Sequence, residues 1–312
     1  MKVIGRILIG ILFLWNAAEA QQNLDKSKYS LVFFEDFENK DIHDLLNSGS
    51  WQANSPWGEY LNKYKEVKLG KKGERGRKVD LVQKFSADNL LIEEGKLHLK
   101  VSKLAAWNKK NIDGKDWYYL YEGAEIHTRI TQKIEDDQWQ KKPEQHTGWL
   151  YGLFEVDLQL PEDRSLYPSL WLVSPSGRVP EIDAFELDHA NDRKYDFFSS
   201  YYYHDENENV KNDAVFYKWD DPSIYTQMHT WSILWTPEKI VYYLDGKEIR
   251  TQTEHVNFAP TSWRKCSLVI GLSPTYRRKG AYWKNGPKNF NTQHDFLIDE
   301  VRVYQLKKNL AN

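Results

Sequence analysis

The chain has 312 residues, with 43 Lys and Arg against 45 Asp and Glu, for a net charge of −2 with histidines neutral. That balance lacks the basic footprint that nucleic-acid binding demands. Its single cysteine, Cys266, excludes an intrachain disulfide, so a chain of this length is expected to rest on its apolar core.

Residues 1–20 read as a targeting segment: Lys2 and Arg6, an apolar run over residues 7–15, and Ala18-Glu19-Ala20 as a cleavage signal ahead of Gln21. The apolar run is shorter than the roughly 20 residues that span a bilayer. The expectation is a secreted or periplasmic protein, free of the membrane and monomeric, with residues 21–312 as one domain.

Strand-like runs then recur. After Glu94-Gly95, residues 96–101 alternate apolar and polar. Residues 63–77 and 205–213 are polar and read as loops. In residues 153–160, Phe154, Val156, Leu158 and Leu160 alternate with Glu155, Asp157 and Gln159. A second strand follows over residues 167–173. Residues 240–244, the turn Asp245-Gly246 and residues 247–251 make a hairpin. Cys266 opens another apolar run and reads as a small buried hydrophobe. Many short strands with no βαβ rhythm imply an all-β sandwich. Aromatics reach 14%, with 13 Trp and 19 Tyr, a surplus that suits both sheet cores and the stacking of sugar rings.

The most informative stretch is Glu181-Ile182-Asp183-Ala184-Phe185-Glu186. Alternation places Glu181 and Asp183 on one face and turns Glu186 away. One extra residue in a β-bulge restores the parity and brings all three carboxylates together. Like charges so gathered raise one another's pKa, a cost that points to use. Two carboxyls roughly 5–5.5 Å apart serve a retaining glycosidase, one as nucleophile and one as acid/base.

The hexapeptide, the preceding Pro168-Ser169-Leu170-Trp171, the run Trp235-Thr236-Pro237-Glu238 leading to Tyr242-Tyr243-Leu244-Asp245-Gly246, and the closing Ile298-Asp299-Glu300-Val301 resemble glycoside hydrolase family 16, in family order. The resemblance implies a jelly-roll β-sandwich of two curved antiparallel sheets with a concave cleft. It implies Glu181 as nucleophile, Glu186 as acid/base and Asp183 between them. Trp171 falls on the family's stacking position. His204 and Tyr202 share a face by alternation, and Trp57 and Arg129 are further candidates for sugar contact. It also implies a structural Ca²⁺ away from the chemistry, held by Glu35, the Gly95 carbonyl and Asp299, and no cofactor for catalysis.

Where the glucanase branch carries Trp and Gly ahead of the first Glu, this chain has Arg178-Val179-Pro180. The short turn Ser174-Pro175-Ser176-Gly177 and the Tyr-rich strand before His204 look more like the branch that acts on algal galactans such as agar, porphyran or carrageenan, and Arg178 near the cleft suits a bidentate oxyanion such as a sulfate. The expected function is an endo-acting retaining β-glycanase on such a polysaccharide. The alternatives are an endo-β-1,3-glucanase, a transglycosylase on the same site, and a glycan-binding module without catalysis.

Overall fold

In the computed structural model, the described residues are 25–68, 78–128, 132–135, 138–141, 148–163, 166–174, 179–187, 196–257, 265–274 and 295–307. The targeting segment, Arg129 and Arg178 lie outside them. The chain begins with β1 (Tyr29–Glu35), the short helix α1 (Ile42–Asn47), β2 (Trp51–Ala53), β3 (Tyr60–Lys68), β4 (Lys78–Phe85), β5 (Leu90–Glu93) and β6 (Lys96–Leu99). It continues with β7 (Ser102–Ile112), β8 (Lys115–Thr128), β9 (Gln132–Glu135), β10 (Gln138–Lys141), β11 (Gly152–Gln159), β12 (Leu166–Val173), β13 (Glu181–Glu186) and β14 (Phe197–His204). The last strands are β15 (Val210–Tyr217), β16 (His229–Trp235), β17 (Ile240–Leu244), β18 (Lys247–Gln252), β19 (Ser267–Pro274) and β20 (Phe296–Leu306).

These strands form the expected all-β jelly roll. One sheet runs β18-β17-β16-β11-β20-β6-β5, with β1 also on β20. The larger runs β15-β14-β13-β12-β19-β8-β4-β3, with β2 and β7 also on β8. Pairing is antiparallel throughout, except where β4 runs parallel to β8. No helix among the described residues is long and apolar enough to cross a membrane.

The core is the seam between the two sheets. Leu170, Leu172, Ile182, Phe185 and Phe197 of the larger sheet meet Phe154, Val156, Trp231, Ile233 and Val301 of the smaller. Phe185 lies 4.5 Å from Trp231 between ring centroids, and Phe197 meets the same indole edge-on at 5.1 Å. Such pairs stabilise by about 0.5–1.5 kcal/mol beyond the area they bury. They clamp β13 and β14 onto the opposite sheet. Where β11 meets β20, Gly152 has φ +135° and a Cβ there would lie 2.5 Å from the Tyr304 carbonyl oxygen. No larger residue fits that approach without a shift.

Two loop expectations are corrected. Residues 60–68 form β3, so the polar stretch 63–77 begins as strand, and residues 69–77 lie outside the described set. Only the start of 205–213 is a turn, because β15 begins at Val210. Much of β15 is exposed at the edge of its sheet, so it needs no apolar alternation, and that signal was the one sought.

Candidate active site

The bulge is present, and Ala184 is its extra residue. Across β12, Trp171 pairs with Asp183, Leu170 with Phe185 and Ser169 with Glu186, which leaves Ala184 without an opposing residue. Across β14, Glu181, Asp183 and Glu186 face Tyr202, Ser200 and Phe198 in turn. Those partners alternate regularly, so the three acids occupy three successive positions on the open face of the larger sheet. Ala184 and Phe185 both turn into the core, where they are 2% and 0% exposed. A small residue next to a large one lets two consecutive side chains enter the same packed layer.

The three acids differ in setting. Glu181 and Glu186 are half-buried, whereas Asp183 is 1% exposed. The Ser200 hydroxyl donates to Asp183 Oδ2 at 2.5 Å, and the Tyr167 hydroxyl donates to Glu186 Oε1 at 2.7 Å. Burial, then the charges of Glu181 and Glu186, drive the Asp183 carboxyl well above the carboxylate range, against the pull of Ser200 and Arg250. Tyr202 is pushed up to about 12, first by burial and then by the charges of Asp183, Glu186 and Glu181. Asp183 therefore favours holding a proton between its two neighbours.

The tryptophans also come together. Trp171 and Trp57 stack with centroids 5.3 Å apart and planes 20° from parallel, backed by Val173 and Val269. His204 falls at the end of β14, one open-face position beyond Tyr202, and its Nδ1 lies 3.5 Å from Glu208 Oε2 in the following turn. That turn is closed by Asp205, whose Oδ1 accepts from the backbone N–H groups of Asn207 and Asn209, both at 2.9 Å.

Two residues that sequence reasoning missed complete the surroundings. Glu125 on β8 is 5% exposed and pairs with Gly271, which lies beside Ser169 on β12. Burial pushes its carboxyl up to about 8, opposed by a hydrogen bond with Ser55 in the turn that carries Trp57. Its Oε1 has no hydrogen-bond partner among the described residues. A Cβ on Gly271 would lie 2.7 Å from Glu125 Oε2, so only glycine leaves this acid its place. Arg250 reaches from the opposite sheet and donates to Ser199 O and Oγ at 3.0 Å and to Asp213 O at 3.1 Å. It braces β14 directly behind Ser200. A buried acid in a strand of mixed polarity carried no spacing signal, and an arginine in a hairpin reads as solvated.

The calcium candidates meet at one corner. Glu35 pairs in register with Val301, two residues beyond Asp299, and Gly95 packs against the Glu38 carboxylate. However, Lys40 Nζ lies 2.5 Å from Glu35 Oε1, and Lys96 Nζ lies 3.2 Å from Asp299 Oδ1. Calcium takes six to eight oxygens. Here both carboxylates are already neutralised by ammonium groups, and no group of three His, Cys, Asp or Glu among the described residues is placed to hold a metal. As arranged, the corner does not fit the ion. Cys266 is buried, as expected.

Residues 138–287, the stretch that contains the bulged strand, match Glycosyl hydrolases family 16. That stretch belongs to family 16. Among curated relatives, an endo-1,3-1,4-beta-glycanase of Rhizobium meliloti (strain 1021) is 27% identical over 124 residues, covering 39% of this chain and 25% of that protein. The chain thus aligns with about a quarter of that relative's length. The laminarinase catalytic domain from Thermotoga maritima superposes with TM-score 0.56 at 16% identity, over 89% of this chain and 99% of that one. Porphyranase B from Zobellia galactanivorans gives 0.57 at 17%, over 89% and 92%. At these identities the structural likeness concerns the family 16 fold.

Proposed function

We propose that the protein is an exported, monomeric, endo-acting retaining β-glycanase. The observation that carries this reading is the bulge at Ala184, which sets Glu181, Asp183 and Glu186 side by side on an open sheet face. Successive open-face positions lie about 7 Å apart along a strand. Glu181 and Glu186 are the longer acids at the two ends, and they can lean toward each other over Asp183 to the roughly 5–5.5 Å that retention needs.

In the first step, Glu186 gives its proton to the glycosidic oxygen as that bond breaks, and the Glu181 carboxylate bonds to the anomeric carbon. In the second, Glu186 takes a proton from water, the oxygen bonds to the same carbon, and Glu181 leaves as carboxylate. Asp183 is raised first by burial and then by its neighbours' charges, and can carry a proton toward Glu181 while that residue is ionised. Trp57, stacked on the buried Trp171, offers an apolar face to a sugar ring next to the acids.

We further propose a β-linked galactan of algal type as the substrate. Arg178-Val179-Pro180 ahead of the acid strand supports this, because it departs from the pattern of the glucanase branch. The test is release of reducing ends from agarose, porphyran, carrageenans, laminarin and mixed-linkage glucan. Glu181→Gln should lose at least about a thousandfold in turnover while sugar binding survives. Undiminished turnover in that variant defeats the assignment, and cleavage of laminarin alone replaces galactan by β-1,3-glucan. Export after Ala20 is checked by the N-terminus of the secreted protein, which should begin at Gln21.

A further inference from the structure

Glu186 shares its register line with two phenylalanines: it pairs with Phe198 on β14, and Phe198 pairs with Phe216 on the edge strand β15. Strands lie about 4.8 Å apart, so the two rings extend the line from Glu186 by about 5 and 10 Å. Their centroids are 5.3 Å apart with planes inclined by 36°. The neighbouring Phe197 and Tyr217 stack inside the core, so alternation sets Phe198 and Phe216 on the open face with the acids. Phe216 is 54% exposed, a large apolar surface left wet beside a polar site. Trp57 and Trp171 occupy the opposite flank of the acid strand, so the acids lie between two aromatic platforms.

The platforms differ in kind. Trp57 rests on Trp171, which is 8% exposed and packed against Val173 and Val269, so the pair makes a fixed surface suited to the sugar that stays on the enzyme as the covalent intermediate. The phenylalanine pair lies at the sheet edge beside Glu186, the group that protonates the departing oxygen. No lysine or arginine occupies the open-face positions of β12 to β15 among the described residues.

Building on the glycanase reading above, we propose that Phe198 and Phe216 form the leaving-group and acceptor platform of this site, which takes an uncharged pyranose by its C–H face. The departing chain stacks there until Glu186 has delivered its proton. An incoming sugar hydroxyl is held there when it replaces water, giving its proton to Glu186 as its oxygen bonds to the anomeric carbon and Glu181 leaves.

The test compares two donors with wild type, Phe216→Ala and Phe216→Trp: an oligosaccharide of the polymer degraded in the screen, and the β-glycosyl fluoride of its disaccharide, whose leaving group reaches no platform. Phe216→Ala should lose about tenfold in kcat/KM on the oligosaccharide. It should also lose about tenfold in transfer to added acceptor sugar, stay within about twofold on fluoride hydrolysis, and be rescued by Phe216→Trp. Equal loss on both donors, or loss on neither, overturns the platform and leaves the glycanase reading standing. A wild type inert on both donors overturns both.

Discussion

At the residue scale, the open face combines groups that burial and charge push toward different protonation states. Glu125 gives the clearest prediction. Its carboxyl is raised from 4.5 to about 8, so between those values the folded protein holds a proton that the unfolded chain has lost. Stability therefore falls as pH rises through that window. Glu125→Gln removes the penalty and should stabilise by about 3 kcal/mol at pH 7, at about 1.4 kcal/mol per pH unit, with the gain vanishing near pH 4. Denaturant melts at pH 4 and pH 8 check this, and equal midpoint differences at the two values speak against it. Glu125 was not legible in the sequence because its exposure depends on Gly271 across the sheet, roughly 150 residues away. The acid trio was legible because parity along one strand is local arithmetic.

At the scale of elements, the bulge decides which way three side chains face. With the bulge kept, inserting a second alanine after Ala184 should shift the parity by one residue, turning Phe185 outward and Glu186 into the seam held by Trp231. The expected result is loss of turnover by at least about a thousandfold, together with destabilisation of several kcal/mol from a buried, unpaired charge. A lengthened protein that still released reducing ends would show that Glu186 is dispensable. The hairpin at Asp245-Gly246 and the alternating β11 could be read directly, since a two-residue Asp-Gly turn and a period-two pattern are both local signals. The polar strands β3 and β15 were read as loops, because the sheet position that makes them strands is fixed only by partners elsewhere in the chain.

At the scale of the whole molecule, the corner where the family resemblance implies a metal carries two ammonium groups of its own. Lys40 and Lys96 hold Glu35 and Asp299, so millimolar calcium and excess chelator should both leave Tm unchanged in calorimetry. A rise of several degrees with calcium would show that the ion displaces the ammonium groups. On the outer face of the smaller sheet, Arg302 joins Asp157 at 2.7 Å, Glu155 at 3.5 Å and Glu300, tying β11 to β20. Strand β20 is the last among the described residues, yet it lies inside the smaller sheet, between β11 and β6, and pairs with β1 from Tyr29↔Leu306 onward. The sandwich therefore cannot close before its final strand is available. Assembly depends on contacts between strands far apart in the sequence, which favours slow folding.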